Sequence, residues 1–357
     1  MPKFLLSGGG TGGHIFPALA IAEELRAVYP DCALHFVGAL GRMEMEKVPA
    51  AGYSITGLPI RGLQRSLSLQ NVKLPFDLIR SLRQANSLLS AFKPDCVIGT
   101  GGYASGAIVF AAAWRGIPTL IWEGNGFAGL TNRWLGKRVD IVCAGFEEME
   151  SFFPKEKIRY TGNPVRKDIL SLPARAAGLQ HFGLEDSPVC LVIGGSLGAG
   201  SLNSAMSNGV DELLAAGIQV IWQCGKRFDT APFLNKKGLW CGAFIPEMHL
   251  AYAAADLVVS RSGALSVSEI AVAGKPSILV PSPNVTADHQ TANARKLSDQ
   301  GAAILLPDAE TPRLPALIRQ TMADETTREK MHAKLQTLAR PGASTAIVQE
   351  IRQLIQS

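Results

Sequence analysis

Residues 3–28 read KFLLSGGGTGGHIFPALAIAEELRAV: a short apolar run, five glycines around Thr11, then a stretch of helical periodicity. A strand that turns into a helix through bare glycine is the opening unit of a doubly wound parallel sheet, so this order constrains the fold strongly. It occurs twice. At VCLVIGGSLGAGSLNSAM an apolar run, a glycine turn and a helix starting near Ala199 follow one another again. The first half continues with ALHFVG, DCVIGT, PTLIW and DIVCA, the second with IQVIWQC, LWCGAFI, DLVVS, PSILVP and AAILLP, each set interleaved with helical segments. That alternation predicts an α/β fold made of two Rossmann-like, doubly wound parallel-sheet domains, whose switch points can face one another across a cleft. The Gly- and Pro-rich stretch YTGNPVRKDILSLPARAAG lacks a period and reads as the linker. Expected boundaries are 1–162 for the first domain, completed by the C-terminal helix 341–357, and 163–340 for the second.

Composition narrows the function classes. Apolar residues make up 47% of the chain, yet the longest oily stretch, Ala104–Trp114, is far shorter than the ~20 residues a membrane span needs. With only Lys3 before the first apolar run, no signal peptide is expected. Six cysteines are scattered without a CxxC pair, which predicts buried free thiols and no metal site. The net charge of +5 is modest and the basic residues form no nucleic-acid motif, so nucleic acid is not an expected partner. Locally, Arg61 to Arg115 carries seven basic residues against two acids.

The glycine loops invite three other readings. Gly8-x-Gly10-x-x-Gly13 has the spacing of a dinucleotide fingerprint, but LHFVGALGR ends without the acid that would hold a ribose. His14 and Ile15 stand where a phosphate-binding Walker loop needs Lys and Ser or Thr. Gly194-x-Ser196-x-Gly198 matches the nucleophile elbow of serine hydrolases, with His249 or His289 and Asp256 or Asp288 following. The hydrolase reading leaves the first glycine loop without a task. What both loops share is close backbone approach to an anion and a helix N-terminus carrying about half a positive charge.

The stretch ADLVVSRSGALSVSEIAVAGKPSILVPSP, Ala255–Pro283, is the most informative. Its RSGA turn would expose amides to a diphosphate, and Glu269, one to two turns into the helix, could accept from both hydroxyls of a ribose. A nucleotide-sugar meets both demands. No D-x-D occurs, so helix N-termini rather than a bridging metal would steady the diphosphate. With GGGTGGHIFPALAIAEEL, GTGGYASG, WEGNGFAGLTNRWL, TGNPVR, GGSLGAGSLN, FIPEM, RSGALSVSEI and DHQTANA in order, the chain resembles the MurG family of bacterial peptidoglycan glycosyltransferases over essentially its full length.

The resemblance implies the GT-B fold and inverting transfer of GlcNAc from UDP-GlcNAc to the MurNAc 4-hydroxyl of undecaprenyl-diphosphate-MurNAc-pentapeptide, with no cofactor. Main-chain groups near Phe244 and Ile245 would read uracil, and Glu269 would take the ribose. Ser196, Ala264, Leu265 and Arg166 would lie near the diphosphate, and Asn125, His289, Gln290 and Asn293 would address the sugar. Some relatives carry glutamine where this chain has His289. Gly10, Thr11, Gly12, Gly13, His14 and Tyr103 would meet the lipid-linked acceptor. His14 is a candidate base, since imidazole with an ordinary pKa of about 6.5 is largely neutral near pH 7; a purely positioning role stays open. Glu123 is the second candidate base or a loop anchor.

The segment NVKLPFDLIRSLRQA brings Leu74, Phe76 and Ile79 close to cations, and Trp114 ends another helix of the same domain. Apolar residues ringed by cations suit an anionic inner-leaflet surface, and a polyprenyl-linked acceptor favours that use over Leu74 and Leu78 facing the core. The expected location is peripheral, on the cytoplasmic face of the bacterial plasma membrane, with cell-wall synthesis and division proteins as possible partners. A UDP-GlcNAc epimerase, another UDP-sugar lipid glycosyltransferase of the same fold, and a non-catalytic UDP-sugar or glycolipid binding subunit are the competing readings.

Overall fold

The computed structural model describes residues 1–60, 74–195, 198–285 and 288–356, leaving out the side chains of Leu74 and Pro75. The expectations for Ser196 and for the Leu74 side chain therefore fall outside the described residues. The chain divides into two compact units, Met1–Val165 with Gly342–Ser357, and Arg166–Pro341.

In the first unit seven parallel strands are ordered β3-β2-β1-β4-β5-β6-β7. They are β1 (Lys3–Gly8), β2 (Ala33–Ala39), β3 (Ser54–Leu58), β4 (Cys96–Gly101), β5 (Thr119–Glu123), β6 (Ile141–Ala144) and β7 (Ile158–Tyr160). Helices α1 (Gly12–Val28), α2 (Glu44–Ala50), α3 (Leu74–Phe92), α4 (Tyr103–Trp114) and α5 (Leu130–Leu135) cover them. Phe4, Leu5 and Leu6 are fully buried, as a central parallel strand covered on both faces requires. The chain's last helix, Ala343–Gln356, returns to this unit: Ile347, Val348 and Ile351 are buried, and Thr345 Oγ1 donates to Glu24 Oε1 of α1 at 2.8 Å.

The second unit repeats the plan with strand order β10-β9-β8-β11-β12-β13, again all parallel. Short helices α6 (Lys167–Leu170) and α7 (Arg175–Phe182) precede the strands β8 (Val189–Ile193), β9 (Gln219–Gln223), β10 (Leu239–Gly242), β11 (Leu257–Ser260), β12 (Ser277–Leu279) and β13 (Ile304–Leu305). Helices α8 (Gly200–Ala215), α9 (Met248–Ala254), α10 (Ala264–Ala273), α11 (His289–Ser298), α12 (Leu314–Ala323) and α13 (Glu325–Leu338) complete it. Trp222 of β9 is wholly buried, with ring centroids of Phe228 and Phe233 at 4.9 and 5.1 Å. All six cysteines are free, and burial raises the thiol pKa of Cys96, Cys143 and Cys190, which are inert core residues.

The strand order explains why both glycine loops matter. In each sheet the order reverses beside the first strand, between β1 and β4 and between β8 and β11. Ligands of open α/β sheets bind at such switch points, outside the carboxyl ends of the strands. The loops after β1 and β4 flank one switch point, and those after β8 and β11 the other.

Candidate active site

In the first unit the turn after β1 depends on glycine at specific atoms. Gly10 has φ +85°, where a side chain is disfavoured. Gly9 donates its amide to the Gly101 carbonyl at 3.2 Å, tying the β1 loop to the end of β4. His14, in the first turn of α1, directs Nδ1 at the Gly9 carbonyl at 2.9 Å. A carbonyl only accepts, so Nδ1 carries a proton, and in the neutral ring the lone pair is on Nε2. The imidazole lies against Gly101, where an added Cβ would stand 2.6 Å from Cδ2 and 2.8 Å from Nε2. The amides of Gly12 and Gly13 precede the first intrahelical bond of α1 and stay available for an anion. Tyr103 is half-exposed in the first turn of α4.

One residue of this loop escaped the sequence reading. Glu44, fully buried at the start of α2, accepts from the Gly10 amide at 2.9 Å through Oε2 and from the Ala39 amide at 2.9 Å through Oε1. The Gly10 amide is therefore committed to a carboxylate. Its expected service to the acceptor falls to the amides that follow.

Glu123, the second candidate base, is an anchor. Its Oε1 accepts from the backbone and side-chain N–H of Asn125 at 3.0 and 3.1 Å. Its Oε2 accepts from the Gly129 amide and from Asn132 Nδ2, both at 3.0 Å. With four donors on a carboxylate only 3% exposed, no lone pair is directed outward to take a substrate proton. Glu123 shapes the 124–132 loop, and Asn125 with it.

In the second unit the turn after β8 places Gly195 and Gly198 at φ +82° and +78°. A Cβ on Gly198 would stand 2.1 Å from the Cys224 carbonyl, so only glycine lets the loop lie on β9. After β11, the amides of Ala264, Leu265 and Ser266 precede the first intrahelical bond of α10, from Val267 to the Gly263 carbonyl. Arg261 fixes this turn: its guanidinium donates to the Val280 and Pro281 carbonyls, to Asp308 and to Ser201. An anion meeting three free amides at the positive end of a ten-residue helix is stabilised without a metal ion.

Glu269 lies on that same helix. Arg166 holds both of its oxygens, Nε to Oε1 at 3.0 Å and Nη2 to Oε2 at 3.2 Å. Burial raises the Glu269 carboxyl above its ordinary range, with the Arg166 charge opposing. Phe244 is half-exposed while the Ile245 side chain is buried, which leaves the backbone of this pair as its polar surface. Gln290 Oε1 accepts the Ser282 amide at 2.9 Å. Asn293, expected at the sugar, is fully buried and donates to the Ser262 carbonyl at 3.1 Å; it braces the RSGA turn. His289 opens α11 after Asp288, which has φ +50°.

The same unit removes His249 and Asp256 from the hydrolase reading. His249 pairs with Asp168 at 3.1 Å, and Asp256 is held by Arg175 and the Val189 amide. Asp256 and Val189 mark the amino ends of β11 and β8, whereas Gly194 and Gly198 of the GxSxG motif follow the carboxyl end of β8. The length of β8, about 16 Å, separates them.

The comparisons with known proteins agree with this geometry. The Glycosyltransferase family 28 N-terminal domain matches residues 4–143 and the Glycosyltransferase family 28 C-terminal domain residues 189–347. The UDP-N-acetylglucosamine--N-acetylmuramyl-(pentapeptide) pyrophosphoryl-undecaprenol N-acetylglucosamine transferase of Flavobacterium psychrophilum is 47% identical over 99% of this chain and 98% of its own. Its namesake from Porphyromonas gingivalis is 48% identical over 99% of this chain and 96% of its own. The crystal structure of Acinetobacter baumannii MurG superposes with a TM-score of 0.79 at 30% identity, covering 99% of this chain and all of that one. The chain belongs to the MurG family. It is a glycosyltransferase with the GT-B fold.

In this member of the MurG family an apolar surface lies on the first unit. Trp114 is 82% and Phe76 73% exposed, and Leu78 and Ile79 of α3 also face outward, against the reading that places Leu78 in the core. Arg115 joins α4 to α3 by donating to the Asn86 carbonyl and Ser90 Oγ, which sets the end of α4 about 15 Å along α3 from Phe76. The sequence reading missed Trp134, whose ring lies 4.8 Å from Phe110 with the Arg138 guanidinium 4.3 Å above it, and the exposed Leu130. No described helix is long and apolar enough to cross a membrane.

Proposed function

We propose that the protein transfers GlcNAc from UDP-GlcNAc to the MurNAc 4-hydroxyl of undecaprenyl-diphosphate-MurNAc-pentapeptide, inverting the anomeric carbon to form a β-1,4 link. The names of its relatives support the two substrates. The observation that carries the chemistry is the 2.9 Å contact of His14 Nδ1 with the Gly9 carbonyl, which fixes Nδ1–H and, in the neutral ring, leaves the Nε2 lone pair to accept the hydroxyl proton.

As that proton moves to Nε2, the freed oxygen attacks the anomeric carbon and the bond to the UDP oxygen breaks. The charge that develops on the diphosphate is met by the amides opening α10, which are already oriented and need no reorganisation. Glu269, held by Arg166, accepts from the ribose hydroxyls, and the backbone at Phe244 and Ile245 reads uracil. The amides of Gly12 and Gly13 take the acceptor's diphosphate, with Thr11 and Tyr103 beside it.

The acceptor's polyprenyl chain stays in the bilayer, so the first unit works peripherally at the cytoplasmic face of the plasma membrane. Trp114, Phe76, Ile79 and Trp134 would enter the interface, while Arg80, Arg83 and Arg138 meet anionic headgroups. His14→Ala tests the assignment: turnover falls by about 100-fold or more while UDP binding is retained. Unchanged turnover would remove His14 from the mechanism.

A further inference from the structure

Glu44 is a fully buried carboxylate under a loop whose expected ligand is an anion. A negative charge beneath an anion site opposes binding, so its presence calls for a reason. Its partner supplies one. The Gly10 N–H that donates to Glu44 Oε2 at 2.9 Å and the Gly9 C=O that accepts His14 Nδ1–H at 2.9 Å are the two ends of one peptide group. The connection runs from carboxylate to peptide N–H, across the planar amide, and from peptide oxygen to imidazole.

We propose that Glu44 is a positioning residue for the transfer reaction, acting on His14 through the Gly9–Gly10 peptide. A peptide whose N–H is bonded to an anion carries more negative charge on its oxygen, because the amide is conjugated and hydrogen bonds in series polarise one another. The Gly9 oxygen then holds Nδ1–H more strongly, and the tautomer with a lone pair on Nε2 is favoured. The role resembles that of the aspartate in a serine-protease triad, which fixes the tautomer and steadies the imidazolium, with a peptide group placed between acid and imidazole.

Local packing admits this arrangement and little else. A Cβ on Gly9 would stand 2.1 Å from Glu44 Oε1, and one on Gly38 would stand 2.5 Å from Glu44 Cγ. The second oxygen accepts the Ala39 amide at 2.9 Å, so both oxygens face N–H donors. A glutamine cannot replace them, because its NH2 end would confront one of those donors.

The inference rests on His14 being the base, and the test separates the two ideas. In 15N-labelled protein at neutral pH, the wild-type His14 ring is expected to be protonated at Nδ1 and unprotonated at Nε2. Glu44→Gln is expected to move a substantial fraction to the Nε2–H form and to lower kcat by about 10–100-fold, leaving the KM for UDP-GlcNAc within about twofold. Glu44→Asp keeps the charge at a shorter reach and is expected to recover part of kcat.

A Glu44→Gln protein with the wild-type tautomer would overturn the proposal, whatever its turnover. If that variant does not fold, the wild-type spectrum decides alone, since a His14 protonated on Nε2 would overturn the proposal equally. A double variant with His14→Ala completes the cycle: Glu44→Gln is expected to cost no further activity once the imidazole is gone. A further loss of tenfold or more there would show that Glu44 does not act through His14. Full turnover in His14→Ala alone, with the tautomer shift still present, would uphold the Glu44–His14 coupling and refute the assignment of the base.

Discussion

Gly101→Ala isolates the contact on which the proposed chemistry depends. Gly101 has φ +108°, and its added Cβ would stand 2.6 Å from His14 Cδ2. Ordinary carbon–carbon contact is about 3.5 Å, so the ring must retreat by about 0.9 Å or the β4 turn must give way. A misplacement near 1 Å costs about 100-fold in rate. The backbone strain adds about 1–3 kcal/mol, or a fall in Tm of about 2–12 °C for a unit of this size. Gly116→Ala is the control, because Gly116 has φ +67° with no atom near its absent Cβ. It should lower Tm and leave kcat unchanged. UDP release, measured well below both melting temperatures, gives kcat and the acceptor KM. A Gly101→Ala enzyme with wild-type kcat would refute the placement of the imidazole against β4.

Three further outcomes follow from the geometry. Glu123→Ala leaves four N–H donors without their acceptor and should lower Tm by about 5–15 °C in a thermal melt, whereas a residue acting only as a base would lose turnover at unchanged Tm. Because burial raises the Glu269 carboxyl and only its ionised form accepts from two hydroxyls, UDP affinity should fall as pH is lowered, beginning above the ordinary carboxylate range. Titration calorimetry across pH should show that fall in the wild type and a flat, weak response in Glu269→Gln. Trp114→Ser removes about 1.5–3 kcal/mol of apolar transfer and should weaken binding to anionic vesicles about tenfold or more in co-sedimentation, with UDP binding unchanged.

The fold was legible because parallel strands buried on both faces read as unbroken apolar runs, and glycine turns mark where they pass into helices. KFLLSG and VCLVI became β1 and β8 at the two switch points for that reason. The contacts that bridge distant segments were not legible. Glu44 reaches Gly10 across 34 residues, only because α2 folds its first turn under the loop. Nothing in RMEMEK announces it. Glu123 attracted notice as an acid beside a glycine, but its four donors come from the shape of the loop after it. Asn293 lies in a motif that the resemblance assigns to the sugar, yet its position on α11 turns it inward. GxSxG has the right local pattern for an elbow, and strand direction places Asp256 at the wrong end of the sheet. Trp134 was missed because the six residues of α5 are too few to show a period.

The central claim is transfer to a lipid-linked acceptor, and UDP release from UDP-GlcNAc with and without undecaprenyl-diphosphate-MurNAc-pentapeptide tests it most directly, with the glycolipid followed by mass. The account predicts release that depends on the acceptor and matches, mole for mole, a product heavier by one N-acetylhexosamine. Isomerised sugar formed from UDP-GlcNAc alone, or UDP-GlcNAc binding with no transfer, would contradict it.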